Sequence, residues 1–470
     1  MSQTAIQERA RGVEFRRYLV DLLVDLCRID STAKADVRQY AAAEAECFGL
    51  IEAHLEEIGW PGLTLRRVPI DPAIAGHPYY SRPYYTAAGG KELSVQETYG
   101  GRCNLVAQVG EPGDGPAGSA LALNAHVDVV PPYITPRVEG DRVFGRGSCD
   151  DKGPLACLIG AMKLAREALA EEGLTLAGPL TAMFVIEEET GGNGSLSLAL
   201  DRGLRSRYDT IMVLECCSSK IHPGNRGAVW YKIEAAVPGT NLFEVSAFIV
   251  EEMEREGLAI RAESRHELFP HRPVQTCHGI LGHYGEHPSR ICGRIDFEIR
   301  FDRPVSAPLR AMIEDVLAEG LRQYTGWYGD KTSVTDPSTG KPKVDRHFDL
   351  VEAEGGLRVE VHGSTGHMGS ILQNDGAITK MAALVRSLAG SRQALERVAG
   401  GPMNLRLSGW EHPSHLIMEG GQGFLPTHPM DDVQKRLREA VWRGAERALR
   451  AAGWNGDVRA EIAVSFDKLH

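Results

Sequence analysis

The chain has 470 residues, of which 43% are hydrophobic and 24% are charged, and its formal net charge is −11. This length predicts two or three globular domains, because a single core rarely grows beyond about 250–300 residues. The acidic balance and the absence of a basic run argue against nucleic acid or an anionic membrane surface as the partner.

The N-terminal residues, MSQTAIQERARGVEFRRYLVDLL, carry scattered charges and lack the apolar segment and cleavage site of a signal peptide. No apolar run reaches a length of about 18 residues, which a membrane-spanning helix requires. The nine cysteines form no CxxC pair. We expect them to be reduced and mostly buried, including Cys149 and Cys216, and we expect a cytoplasmic protein.

Residues 1–226 alternate helical patterns with buried strands. Apolar spacing predicts helices over 13–28 and 37–58, and Gly59 is the expected stop of the second. Later helices are expected over 153–172 and 193–204. Continuous apolar runs predict strands over 104–109, 120–130, 180–189 and 210–217. This alternation predicts an α/β domain with a mainly parallel sheet and helices on both faces.

The pattern changes to an α+β type over residues 227–470. Strands are expected over 229–237, 291–301, 356–363 and 458–466, and helices over 242–257, 305–323, 374–389 and 430–452. The segments 227–325 and 350–470 follow a similar order of elements. They are either one enlarged domain or a loose duplication, and both interpretations stay open.

One histidine and several carboxylates stand at the ends of the predicted buried strands or in the glycine-rich turns beside them. Each motif alone is common in proteins, but buried carboxylates cannot ionise cheaply unless they are paired or bind a metal. The residues are His126 and Asp128 in AHVDVV, Asp150 and Asp151 in GRGSCDDKG, Glu187, Glu188 and Glu189 in VIEEETGGNG, and Glu215 in VLECC.

The carboxyl ends of parallel strands meet at one edge of a sheet, which is the usual ligand site of such folds. One histidine with several carboxylates is typical of a di-zinc or similar metal site with nitrogen and oxygen ligands, rather than of a zinc site with thiolate ligands. The sequence contains no GxSxG, HExxH or GxxxxGK[ST] motif, so nucleophile-elbow, HExxH-type and P-loop chemistries are disfavoured.

In this order, HVDVV, GRGSCDDKG, EEETGG and the strand-terminal glutamate resemble the zinc aminoacylase and carboxypeptidase family. That family includes acetylornithine deacetylase, succinyl-diaminopimelate desuccinylase and glutamate carboxypeptidases. The resemblance implies a hydrolase of amide bonds in small peptides or N-acyl amino acids. It also implies two Zn²⁺ ions per site, with Co²⁺ or Mn²⁺ as substitutes.

The resemblance also assigns roles to individual residues. His126 and Glu215 would hold one metal ion, Glu189 would hold the other, and Asp150 would bridge them. Asp128 would accept the other ring N–H of His126 and fix its tautomer. Glu188 would be the general base.

The segment VHGSTGHMGSILQNDGAITKMAALV resembles the lid, or dimerisation, domain of the family, which is ferredoxin-like. His367 matches the lid histidine that reaches a neighbouring subunit's active site and helps to stabilise the oxyanion. The resemblance therefore implies a homodimer formed through the lid. Arg300 could bind a substrate carboxylate or could be an ordinary surface arginine.

The family takes one more metal-binding histidine from a C-terminal part of the catalytic domain, and no match to that part is found before the chain stops. His470 is a poor candidate, and so is the cluster of histidines between 266 and 287. An alternative is therefore a truncated or degenerate homologue that acts as a binding or association module.

Overall fold

A computed structural model describes residues 3–466 except 84, 89–91, 112, 114, 217–219, 272 and 273. The chain divides after His222 into two compact units, four residues before the expected boundary at 226. Cys217 and His470 lie outside the described residues. No helix in the described part of the chain is long and apolar enough to cross a membrane.

The first unit consists of eight α-helices and seven strands among the described residues, with a short 3₁₀ helix at Pro72–Gly76. The helices are α1 (Gln3–Ala10), α2 (Val13–Arg28), α3 (Val37–Ile58), α4 (Tyr85–Ala88), α5 (Val95–Tyr99), α6 (Lys152–Glu171), α7 (Asn193–Leu200) and α8 (Arg202–Arg205). The strands are β1 (Thr64–Pro69), β2 (Cys103–Val109), β3 (Leu121–His126), β4 (Arg137–Glu139), β5 (Arg142–Phe144), β6 (Leu180–Val185) and β7 (Thr210–Val213).

Local sequence explains where the long helices begin and end. The side chain of Asp36 accepts a hydrogen bond from the Arg38 amide at 3.0 Å and caps the start of α3. Gly59 closes the same helix with φ of 67°, a left-handed conformation that favours glycine. The expected stop at Gly59 is therefore confirmed.

The sheet of the first unit has the strand order β1-β2-β6-β3-β7. Strand β3 is parallel to both β6 and β7, whereas the β1–β2 and β2–β6 pairs are antiparallel. The prediction of a mainly parallel sheet is wrong, because the sheet is mixed. Apolar runs do not encode strand direction, and the polar, exposed edge strand β1 has no apolar run at all.

Helices cover both faces of this sheet, as the sequence predicts. Strands alternate their side chains between the two faces, so adjacent residues of β2 enter different cores. Leu105 joins the core under α2, α3 and α6, and Val106 joins the smaller core under α7 and α8. The central strands β2, β6 and β3 are thus buried on both faces, whereas the edge strands β1 and β7 are largely exposed. Strands β3, β6 and β7 end at the same edge.

The second unit consists of six α-helices and ten strands among its described residues, with 3₁₀ helices at Lys331–Ser333 and Met368–Gln373. The helices are α9 (Leu242–Glu263), α10 (Ala307–Tyr328), α11 (Ala377–Gly390), α12 (Arg392–Ala399), α13 (Met430–Ala451) and α14 (Val458–Glu461). The strands are β8 (Gly227–Ala236), β9 (Thr276–Leu281), β10 (Arg290–Ile291), β11 (Arg294–Phe301), β12 (Phe348–Ala353), β13 (Gly356–His362), β14 (Gly366–His367), β15 (Met403–Leu407), β16 (His415–Phe424) and β17 (Ile462–Ser465).

Two four-stranded antiparallel sheets form the second unit, and each has the strand order of a βαββαβ, ferredoxin-like arrangement. One sheet has the order β17-β8-β16-β9, and the other has the order β12-β13-β11-β15. The second arrangement is inserted in the chain between β9 and β16 of the first.

Both sheets therefore take strands from both predicted halves, 227–325 and 350–470. The structure has two similar arrangements, but one is nested inside the other. The halves are not separate consecutive units, because strand pairing joins segments that are distant in sequence.

Candidate metal centre

The candidate site lies where β3, β6 and β7 end. His126 is the last residue of β3, Glu187 to Glu189 follow β6 directly, and Glu215 follows β7. The turn before α6 brings in Asp150. Parallel pairing of the three strands explains why residues so distant in sequence reach one edge.

The Nε2 atom of His126 lies at the centre of these carboxylates. It is 3.2 Å from Asp150 Oδ1, 3.7 Å from Glu215 Oε1 and 3.9 Å from Glu188 Oε2. One ligand atom from each of His126, Asp150 and Glu215 lies within 4.8 Å of the others. These three form the metal-binding group found in the described part of the chain.

Two atoms of this group support a bound cation. His126 Nε2 and Asp150 Oδ1 are both buried and lie 3.2 Å from each other, and neither has any other hydrogen-bond partner among the described residues. Buried polar atoms without partners are unfavourable, so such atoms call for a ligand. One imidazole nitrogen with carboxylate oxygens is a donor set that Zn²⁺ accepts, so the residues fit a divalent metal ion.

Asp128 holds the backbone of the turn that carries Glu188 and Glu189. Its carboxylate is fully buried and accepts hydrogen bonds from the amides of Glu188 at 3.2 Å and Glu189 at 3.0 Å. The ring of His126 contacts Asp128 mainly through the main chain, since Nδ1 is 2.9 Å from the carbonyl oxygen and 3.5 Å from Oδ1. The expected contact between the His126 ring and the Asp128 carboxylate is therefore the longer of the two.

The carboxylates outnumber the one imidazole, and this excess shifts their pKa values. Burial, together with neighbouring carboxylates, raises the pKa of Glu188 to about 7 and that of Glu189 to about 8, although His126 lowers both. Burial also raises the pKa of Glu215. Burial lowers the pKa of His126, but Asp128 and Asp150 outweigh it and raise that pKa to about 12. The site therefore has a surplus of negative charge that favours a cation.

Other predicted site residues lie apart from this group. Glu189 is in the same turn as Glu188 but is not among the three clustered ligands. His367 is exposed in the second unit, on β14, so its role stays a prediction. Cys149 and Cys216 are exposed, which corrects the expectation that they are buried. They lie in the surface turns that carry the acidic residues.

Two buried charged residues next to the site, Glu187 and Arg102, have no role that the sequence motifs predict. The carboxylate of Glu187 pairs with the guanidinium of Arg102 at 2.5 Å, and both side chains are fully buried. The available signal was the position of Glu187, directly after a buried strand. Nothing in the local sequence GGRCNL marks Arg102 as its partner.

The fold and the carboxylate-rich group define an α/β protein with a candidate metal centre. Residues 122–403 match the profile described as Peptidase family M20/M25/M40. The match covers more than half of the chain, so this chain belongs to that family. It confirms the resemblance that the motifs carry.

Individual relatives match over shorter stretches. A peptidase M20 domain-containing protein of Schizosaccharomyces pombe is 32% identical over 115 residues, which is 24% of this chain and 27% of that protein. The LysW-lysine/LysW-ornithine hydrolase of Sulfurisphaera tokodaii is 38% identical over 88 residues, which is 19% of this chain and 23% of that protein. The chain thus spans about a quarter of the length of these curated relatives.

Among solved structures, human carnosine dipeptidase 1 aligns with 96% of this chain and 78% of its own, at 13% identity and a TM-score of 0.44. The dipeptidase Dug1p of Saccharomyces cerevisiae aligns with 98% of this chain and 78% of its own, at 13% identity and a TM-score of 0.43.

Proposed function

We propose that this chain is a metal-dependent hydrolase that cleaves an amide bond in a small peptide or N-acyl amino acid. The observation that carries the proposal is the convergence of His126, Asp150 and Glu215 within 4.8 Å, with the Glu188 carboxylate 3.9 Å from His126 Nε2. Membership of a peptidase family supports the reaction class.

His126, Asp150 and Glu215 would hold the first metal ion, and Glu189 would contribute to a second. Zn²⁺ is the expected ion, and Co²⁺ or Mn²⁺ would accept the same nitrogen and oxygen donors. A bound zinc ion supplies Lewis acidity, which polarises a carbonyl oxygen and lowers the pKa of a water molecule.

Glu188 is the general acid and base of the proposal. Its carboxylate is partly exposed toward the site, and its pKa of about 7 suits proton transfer in both directions near neutral pH. Its Oε2 would accept a proton from the attacking water and then deliver it to the leaving nitrogen. The bonds from the Glu188 and Glu189 amides to Asp128 keep this turn in place during the transfer.

Several finer expectations accompany this proposal as predictions. A homodimer formed through residues 227–470 would supply His367 to a neighbouring site, and the protein would be cytoplasmic. The name of the Sulfurisphaera tokodaii relative describes a hydrolase of lysine and ornithine conjugates. That name makes amides of amino acids sensible first test substrates.

Replacement of the general base tests the mechanism. Glu188→Gln keeps the size of the side chain but cannot accept the proton, so we expect hydrolysis to fall by about 10²-fold or more. Zinc content, measured by mass spectrometry, should stay close to that of the wild type. Glu56→Ala removes an exposed glutamate of α3 and should leave both readings unchanged.

Retained hydrolysis in the Glu188→Gln variant would contradict the proposed role of this residue. A wild-type chain that binds one zinc ion or none and hydrolyses no amide would favour the alternative of a non-catalytic association module.

A further inference from the structure

A buried network of charged groups lies behind the turn that carries Glu188 and Glu189. At its centre is Arg102, whose guanidinium donates to the Glu44 carboxylate at 2.6 and 2.9 Å and to Glu187 Oε1 at 2.5 Å. The side chains of Arg102, Glu44 and Glu187 are at most 2% exposed. The ring of Tyr40 lies 4.8 Å from the guanidinium carbon.

Neutral donors complete the coordination of the Glu187 carboxylate. Tyr99 donates its hydroxyl to Oε2 at 2.7 Å, Asn193 donates to the same oxygen at 3.3 Å, and Tyr85 donates to Oε1. These residues come from α4, α5 and the start of α7, so Glu187 is tied to three helices as well as to Arg102.

The backbone at Glu187 shows why these contacts matter for the site. Glu187 has φ of 62°, and it is the non-glycine residue with positive φ in the described part of the chain. A side chain in this left-handed region is unfavourable unless its surroundings hold it there. The carbonyl of Glu187 also accepts the Gly192 amide at 2.7 Å, which closes the turn.

Two sets of contacts therefore hold the turn. Asp128 accepts the amides of Glu188 and Glu189, and the Arg102 network holds the side chain of the preceding residue. The geometry points to Glu187 as a positioning residue, anchored by Arg102, that fixes the turn presenting the general base and the Glu189 carboxylate. Glu187 itself does not touch the metal-binding group.

This inference rests on the proposed function, but metal affinity tests it without an activity assay. Glu187→Gly removes the anchor and at the same time relieves the backbone, because glycine adopts positive φ readily. Glu187→Gln keeps the length of the side chain and one acceptor oxygen, which can still accept the hydrogen bonds from Arg102 and Tyr85. If only the backbone conformation matters, glycine is the milder change. If the hydrogen bonds of the side chain matter, Glu187→Gln is the milder change.

The experiment measures zinc affinity of the full chain by competition with a chromophoric chelator. We expect Glu187→Gly to bind zinc about tenfold more weakly, as for other residues that orient metal ligands, and Glu187→Gln to lie between it and the wild type. Asp375→Asn is the matched control, since it breaks an equally buried pair with Lys380 in the second unit. It should leave zinc affinity unchanged.

Wild-type zinc affinity in Glu187→Gly, or equal weakening in all three variants, would overturn the inference. If Glu187→Gly does not fold, Tyr99→Phe replaces it, because this change removes one hydroxyl donor and keeps the ring. Zinc affinity equal to the wild type in Tyr99→Phe would then count against the anchor, and weaker binding would support it.

The rate of hydrolysis is a second measurement that should rank the Glu187 variants in the same order. We expect kcat to fall in the order wild type, Glu187→Gln, Glu187→Gly, with KM nearly constant, because positioning of the base affects the chemical step. A wild-type chain that binds zinc but hydrolyses nothing would contradict the proposed function alone, and the zinc ranking would still decide this inference. A wild-type chain without zinc affinity would contradict both.

Discussion

The buried charges around Asp375 in the second unit and around His126 in the first unit are compensated differently. In the second unit, Asp375 is fully buried and accepts hydrogen bonds from Lys380 Nζ at 2.6 Å and from the Tyr324 hydroxyl. In the first unit, the imidazole of His126 faces three carboxylates within 3.9 Å, and the fully buried Asp128 lies beneath it. Lys380 balances the Asp375 carboxylate one-to-one, whereas the carboxylates around His126 outnumber its one imidazole.

The difference separates a structural cluster from a ligand site. A buried carboxylate that a lysine neutralises has its charge compensated by the fold itself. A group of carboxylates with one imidazole lacks that compensation, and a divalent cation can supply it. The Arg102 network of the first unit is intermediate, because one guanidinium faces two carboxylates, Glu44 and Glu187, and burial raises the pKa of both.

The largest expected effect concerns stability of the second unit. Asp375→Asn leaves Lys380 buried without its charge partner, so we expect a loss of about 3–5 kcal/mol in the free energy of unfolding, measured with urea. Asp349→Asn is the control, because its pair with His362 at 2.9 Å is partly exposed and worth only about 0–1 kcal/mol. Similar losses in both variants would contradict the distinction between the two kinds of pair.

The next effect concerns the metal group. His126→Ala removes a proposed direct ligand, and we expect zinc affinity to fall by more than about 100-fold, since loss of residues that only orient the ligands costs about 10–100-fold. His362→Ala removes a partly exposed histidine of the second unit and should leave zinc affinity unchanged. Tight zinc binding by the His126→Ala variant would place the metal elsewhere in the chain.

The smallest effect is a pH dependence of the metal-free protein. The pKa values of Glu188 and Glu189 rise from 4.5 to about 7 and 8 on folding. Between pH 4.5 and these folded pKa values, the folded chain binds more protons than the unfolded chain. The free energy of unfolding therefore falls as the pH rises from 4.5 to 8. The measurement is thermal unfolding in chelator across this range.

Glu189→Gln removes one of the two titrating groups and should make this decline shallower. A metal-free protein that becomes more stable from pH 4.5 to 8, with the variant behaving identically, would contradict the surplus of negative charge at the site.

Much of the first unit was predictable from sequence. The helices α2 and α3 have the predicted bounds, and β2, β3, β6 and β7 lie within or next to the predicted strands. Strand β3 ends at His126, earlier than the apolar run does. The edge strand β1, with the sequence TLRRVP, was missed because it lacks both an apolar run and a buried face.

Long-range pairing limited the prediction of the second unit. The four predicted helices correspond to α9, α10, α11 and α13, and the four predicted strands correspond to β8, β11, β13 and β17, but the strands β9, β12, β15 and β16 have no counterpart among the predictions. Strand β8 pairs with β16 and β17, from the far end of the chain. Nothing local specifies those partners. The sequence therefore leaves open one enlarged domain or a loose duplication, whereas the structure has one βαββαβ arrangement nested in another.

The convergence of His126, Asp150 and Glu215 follows from strand ends that are visible in the sequence. His126 and Glu215 end or follow apolar strands, and Asp150 lies in a glycine-rich turn. The Arg102 network was not predictable in the same way. Its members come from α3, α4, α5 and the turn after β6, and only the folded chain brings them together.

A crystal structure of the zinc-loaded chain, with diffraction recorded at the zinc absorption edge, tests the central claim most directly. We expect an anomalous peak at the carboxyl edge of β3, β6 and β7, about 2.0–2.2 Å from His126 Nε2 and from oxygens of Asp150 and Glu215. No peak there, or a peak held by other residues alone, would contradict the assignment of this group as the metal centre.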